Sequence, residues 1–212
     1  MDQVSSSFHL RFSATLLLVA VVDFAVTALV LQVTRTDLNP ITMPLSAYLK
    51  GEGGGWLRAA YYLMACALAV LAWASYQATR PDLRSGLASA LFFAAALALP
   101  VVAATELYMR GPNRDLARII HDQTAETTFL CLTVGMMLLS SRWLRDPRKR
   151  RDAYVGLIVA CMAFVQLLIL AFWKVMPQGV TQKLLIALIL LWLGWASQQL
   201  NVAVRHDTDA FG

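Results

Sequence analysis

Six stretches of this chain, about residues 12–33, 56–78, 84–106, 119–141, 154–176 and 181–202, are long and continuously apolar. A run of about 18 or more apolar residues reads as a transmembrane helix. In hydrocarbon each segment has to satisfy its own backbone N–H and C=O groups, so the runs specify an all-α bundle of six transmembrane helices. A membrane barrel would instead show shorter segments of alternating polarity. Hydrophobic residues make up 58% of the chain and charged residues 15%, far from the usual soluble balance of about 45–50% and 25%. The longest gap, residues 34–55, is too short to build a core of its own. The chain therefore reads as one polytopic unit over residues 1–212.

The first span is longer than a signal peptide's apolar region and lacks a small-residue cleavage site, so it is expected to be retained. Cys66, Cys131 and Cys161 fall in the middle of three different spans. That placement suits small apolar filler better than a disulfide framework or a metal site. The net charge of +5 does not point to nucleic acid, because no soluble surface is left to carry a basic patch. Six of the bases, Arg142, Arg145, Arg148, Lys149, Arg150 and Arg151, sit in one short loop, where the positive-inside rule acts most strongly. With that loop inside, both termini are cytoplasmic. Ten Lys and Arg then lie inside and eight outside. A membrane with its cytoplasmic face at that loop is the expected location.

Spans 2 and 3 are alanine-rich, and small residues allow close helix approach, so both are expected in the packed interior. Spans 5 and 6 are rich in Leu and Ile and are expected to face lipid broadly. Pro100 lacks a backbone donor and is expected to kink span 3. Trp56, Trp143 and Trp173 read as interfacial anchors, and Gln166 as a donor between helices. The loop TRTDLNPITMPLSAYLKGEGGG carries Pro40, Pro44 and four glycines, enough turn chemistry to fold back over the bundle mouth.

Asp23 lies at the midpoint of span 1. An ionised carboxylate at that depth costs about 2.5–3.5 kcal/mol on insertion scales, so such residues usually face protein or water. At the outer end a second collection forms: Glu106 closes span 3, His121 and Asp122 open span 4, Glu126 lies one turn deeper and Lys174 closes span 5. Ser46, Tyr48 and Glu52 hang above on the first outer loop. Carboxylates, an imidazole and hydroxyls at one depth are the material of proton transfer or headgroup binding. Helix geometry places Asp122 and Glu126 on one face and His121 about 140° from Glu126. A broad face of span 4, or two different neighbours, is needed to use both. Glu126 is expected to stay neutral or to pair with Arg118 or Arg58. Plainer roles exist for some: Asp122 as a complement to the helix N-terminus, Glu106 and Lys174 as snorkelling end residues. Three histidines, two of them terminal, are too few for a membrane zinc hydrolase or paired haems. No metal or cofactor is expected, and no nucleotide, lipase or zincin motif occurs.

The stretch Pro44-Leu45-Ser46-Ala47-Tyr48, followed by glycines, resembles the first outer loop of the bacterial domain-of-unknown-function family 998. Ile120-His121-Asp122-Gln123-Thr124-Ala125, with Phe129 after it, is similar to that family's His-containing fourth-span motif. Six spans in about 200 residues fit too. The family is distantly similar to the eukaryotic FRAG/DRAM/Sfk membrane proteins, some of them associated with lipid handling. The resemblance implies a lipid link only by analogy, and it groups Ser46, Tyr48 and His121 in one site.

These readings lead to a polar pocket, open to the outer leaflet, that binds and in one version modifies a lipid headgroup or similar amphiphile. His121, Ser46 and Asp122 would be its reactive groups, and Asp23, Glu126, Tyr48, Glu106 and Lys174 its binding groups. Two other classes remain open. One is a proton-coupled small-solute carrier using Asp23 and Glu126 as relay carboxylates. The other is a non-catalytic subunit that pairs with other membrane proteins or a second copy of itself.

Overall fold

The computed structural model describes residues 2–109, 112–147, 149–173 and 175–209, with side chains described from residue 8 to residue 201. Six helices carry the fold: α1 (Asp2–Thr34), α2 (Gly54–Gln77), α3 (Gly86–Thr105), α4 (Arg114–Leu144), α5 (Arg150–Phe172) and α6 (Gln178–Asp209). All six are long and apolar enough to cross a membrane, and no strand occurs among the described residues. The chain is an all-α polytopic membrane protein. Several helices overrun their apolar stretches. α4 begins at Arg114 and not near 119, because the helix continues past the apolar run into polar surroundings.

Each helix packs on its neighbours in sequence, and α6 closes the ring against α1. The interfaces are made by small residues repeating at heptad spacing. Ala60, Ala67 and Ala74 on α2 are all buried, as are Ala88 and Ala95 on α3 and Ala153 and Ala160 on α5. Such stripes let backbones approach closely, which replaces the hydrophobic driving force that lipid cannot supply. Phe92 of α3 and Trp192 of α6, both fully buried, stack with centroids 5.7 Å apart. Trp192 also donates its indole N–H to Ser140 Oγ at 3.0 Å. Gln166 of α5 donates to the Thr181 carbonyl of α6 at 3.0 Å, the interhelical bond expected of it.

Several expectations are refined. The apolar windows of α2 and α5 mark the extremes, 56% and 28% buried. α3 is no more buried than α6, because α6 turns Leu185, Leu193 and Ala196 inward. α3 runs unbroken through Pro100. Trp56 and Trp173 are exposed near helix ends, as anchors are, but Trp143 is fully buried. Its indole N–H donates to Thr79 Oγ1 at 2.9 Å, and the Lys149 ammonium sits 4.4 Å from its ring centre. A tryptophan near a span end satisfies its N–H equally well in protein, and here it does.

The α1–α2 connection folds back over the ring mouth as a lid. Leu45, Tyr48 and Leu49, in one turn of 3-10 helix (Leu45–Leu49), are buried. Arg35 pins the two ends together: its guanidinium forks onto Asp37 through two bonds of 2.8 Å and donates to the Lys50 and Glu52 carbonyls at 2.6 and 3.1 Å. That fork holds the Asp37 carboxyl below its ordinary range, and burial pushes the Tyr48 phenol above its own. Gly51 and Gly53 take φ of 77° and 74°, the left-handed region that favours glycine. On the far side the lid rests on α6. Leu45 N–H donates to Gln182 Oε1 at 2.8 Å, Val180 N–H to the Ile41 carbonyl at 3.0 Å, and Lys183 Nζ to the Pro40 carbonyl at 2.6 Å.

Candidate functional site

Beneath the lid, two spaces meet. The inner one is an apolar chamber inside the ring, walled by residues such as Phe24, Tyr61, Met64, Leu99, Ile189 and Leu193. It offers about 60 Å³ to a water-sized molecule, enough for about four waters if each needs about 15 Å³. The outer one is a cleft of about 1040 Å³ between α4, α5, the lid and the start of α6. Its polar wall carries Lys50, Glu106, Arg118, His121, Asp122 and Glu126, and its other wall is the Leu167–Phe172 stretch of α5. Ser46, His121, Ala125, Phe129 and Gln182 line both spaces. They form a neck between a polar mouth and an oily interior.

His121 is the buried polar residue of this neck, 6% exposed. Its Nδ1 lies 3.0 Å from the Val102 carbonyl and 3.2 Å from Thr105 Oγ1. A carbonyl only accepts, so Nδ1 carries the proton. Thr105 spends its own hydroxyl proton on the Val101 carbonyl at 2.8 Å, leaving a lone pair for the imidazole. With Nδ1 fixed as donor, Nε2 of the neutral ring is an acceptor. Its nearest charged neighbour is Glu106 Oε1 at 3.8 Å, beyond hydrogen-bonding range. The other oxygen of Glu106 is 2.9 Å from Lys50 Nζ. Glu106 is 4% exposed at its side chain and Lys50 34%. A lid cation, a buried acid and an imidazole thus stand in one row.

The structure brings Ser46, Glu106, His121, Asp122 and Glu126 to the cleft. The 140° offset between His121 and Glu126 is met by a broad face: His121 turns toward α3, while Asp122 and Glu126 are exposed in the opening toward α5. Three expectations are corrected. Glu106 is not a snorkelling end residue, because it caps α3 inside the protein and takes Lys50 as its partner. Asp122 does not complement a helix N-terminus, because α4 starts eight residues earlier, with Asp115 in its first turn. Glu126 pairs with neither Arg58 nor Arg118, because Arg58 is committed to the Leu49 and Ala103 carbonyls at 3.2 and 3.4 Å, and Arg118 has no ion pair among the described residues.

Two further residues stand apart from the cleft. Tyr48 is buried within the lid, lines neither space and has no hydrogen bond on its hydroxyl; the Lys183 ammonium lies 5.2 Å from its ring centre. Asp23 is exposed on the outer face of α1 and lines neither space. α1 turns Leu17, Ala20, Phe24, Ala28 and Leu31 inward at helical spacing, which sends residue 23 outward by geometry alone. Asp23→Leu should therefore ease insertion of α1 by about 2.5–3.5 kcal/mol while changing stability by less than about 0.5 kcal/mol. Glycosylation-tagged insertion assays and thermal melting in detergent measure the two effects, and a large stability loss would place Asp23 in a contact. Lys174 lies outside the described residues.

Sequence reasoning passed over Gln182 and Lys50. Gln182 opens span 6, where a polar side chain reads as interfacial, and only the returning lid shows that its carbonyl is needed by Leu45. Lys50 looked like a loop base. Among the described residues no three His, Cys, Asp or Glu side chains group in a way that would hold a metal ion.

No curated protein and no solved structure matches the chain. Residues 18–198 match a family described as proteins of unknown function, DUF998. That match spans all six apolar helices and both halves of the site, so the chain belongs to the DUF998 family.

Proposed function

We propose that this protein binds an amphiphile, with the polar headgroup in the cleft against His121 and an apolar portion directed through the neck into the chamber. The observation that carries the reading is the neck itself, five residues shared by a polar mouth and an apolar interior. An amphiphile is the ligand class with that polarity profile. The surrounding membrane supplies such molecules at high concentration, and the apolar wall of α5 lets one enter sideways. Positive-inside bias at the 142–151 loop supports cytoplasmic termini, which puts the lid at the outer leaflet of what we take to be a bacterial inner membrane.

His121 Nε2 would accept a proton or hydrogen bond from the headgroup. Its tautomer is already set by Val102, so binding needs no reorganisation of the ring. Ser46 and Gln182 would supply further polar contacts at the neck. A relay carrier is less well supported, since Asp23 is exposed on the outer face of α1 and lines neither space.

The test is labelling of purified protein in nanodiscs with a photoreactive, alkyne-tagged phospholipid. Label should appear on α4 peptides around Ala125–Phe129 and on the start of α6. His121→Asn keeps a donor for the Val102 carbonyl and loses Nε2. It should cut labelling at the neck by about tenfold, the worth of about 1.4 kcal/mol, with an unchanged melting temperature. Unchanged neck labelling, or label only on the outer faces of α5 and α1, would overturn the reading.

A further inference from the structure

We infer that the headgroup carries both a phosphate and a primary ammonium; this rests on the amphiphile reading above and narrows its ligand class. Among the described residues, the charges on the cleft wall divide into two sets. Lys50 is paired with Glu106 at 2.9 Å and Arg114 with Asp115 at 3.6 Å. Arg118, Asp122 and Glu126 remain, with no ion pair among the described residues, and all three line the cleft. They recur every four residues on α4, so they form one stripe with steps of about 6 Å along the axis. The stripe runs from a cation at the mouth to two anions further in.

Depth makes the deeper anions informative. His121 bonds to Val102, one turn inside the end of α3. Glu126 is five residues further along α4, about 7.5 Å deeper, in the cleft that Leu167 and Leu168 of α5 also line. A carboxylate at that level, facing an apolar wall, calls for a cation. Two carboxylates one turn apart repel each other and are relieved by a shared one.

A second observation points to a ligand independently of the acids. His121 is buried, lines the same cleft, and has no hydrogen bond on Nε2. Nε2 has Glu106 Oε1 as its charged neighbour at 3.8 Å, and Asp122 and Glu126 add acceptors elsewhere on the same cleft wall, a lining that matches an ammonium with three N–H donors better than a quaternary ammonium, which has none. Arg118 then stands one step away for the phosphate, where a guanidinium forms paired bonds to phosphate oxygens. The wall as a whole offers acceptors inside and a donor outside. A purely anionic headgroup would meet the two carboxylates and be repelled.

Native mass spectrometry of the purified protein with lysophospholipids of one chain length tests this. The probes are the phosphoethanolamine, phosphocholine and phosphoglycerol headgroups. The wild type should hold the phosphoethanolamine probe about tenfold more tightly than the phosphoglycerol probe, with phosphocholine between them. Asp122→Asn/Glu126→Gln should bring the three within twofold of one another while binding persists, and Arg118→Gln should weaken all three. Equal affinities in the wild type, or a preference that survives the double substitution, would overturn the ammonium assignment and leave amphiphile binding standing. Failure of every probe to bind the wild type would overturn both.

Discussion

Gly54→Ala is expected to lower the stability of the protein by about 1–3 kcal/mol, the usual range for overpacking. A methyl group at this position would collide with the Leu49 carbonyl oxygen and lie 2.6 Å from the carbonyl carbon. Both are backbone atoms, so no rotamer change relieves the clash. The neighbouring Gly51 and Gly53 already hold left-handed φ values, which leaves little slack in the turn. Gly55 is the internal control: a methyl there meets nothing within 4 Å, so Gly55→Ala should be neutral or gain up to about 1 kcal/mol of helix propensity. Gly179→Ala acts on the other anchor of the lid. Its methyl would come 2.5 Å from the Met43 carbonyl and 2.7 Å from that of Ile41. The lid can lift away from α6, so the expected effect is faster tryptic cleavage at Lys50 with a smaller loss of melting temperature. Equal melting for Gly54→Ala and Gly55→Ala would show that the lid does not seat as described.

How much of this was legible in the sequence follows from which interactions are local. The six helices were, because apolar length alone decides them. The returning loop was half legible: Pro44 and the glycines announce turns, but the bonds from Leu45 to Gln182 and from Lys183 to Pro40 join residues more than 130 positions apart. No local pattern encodes such pairs. Of the residues that line the cleft, His121, Asp122 and Glu126 stood out because polar side chains at these depths need a reason, and Ser46 came with the loop motif of the family resemblance. The outward placement of Asp23 was not, since the rule that buried acids face protein concerns averages. Its own helix offered the correct signal, as the inward stripe of Leu17, Ala20, Phe24, Ala28 and Leu31 excludes position 23. Trp143 escaped for a related reason: nearness to a span end does not tell whether an indole faces headgroups or a threonine on another helix.

The lid and the imidazole are joined by the Lys50–Glu106 pair, and removing one partner should cost far more than removing both. Lys50→Met leaves the Glu106 carboxylate, 4% exposed, without its cation. Breaking a buried pair in this way costs about 3–5 kcal/mol, and the lower end applies because a third of Lys50 remains exposed. Glu106→Gln is milder, about 1 kcal/mol: the freed ammonium can turn toward solvent, and the amide still faces His121. Lys50→Met/Glu106→Gln should then recover about 2 kcal/mol relative to Lys50→Met alone, which with the Glu106→Gln loss makes a coupling of about 3 kcal/mol, the upper end for contacting residues. Unfolding in mixed micelles of the wild type, both single variants and the double variant measures the cycle. Strictly additive losses would reduce the pair to a solvent-screened surface contact, of the kind worth about 0–1 kcal/mol. A strong coupling would mean that the acid 3.8 Å from His121 is held in place by the lid. Seating of the loop over the mouth and the electrostatics at the imidazole would then be one and the same event.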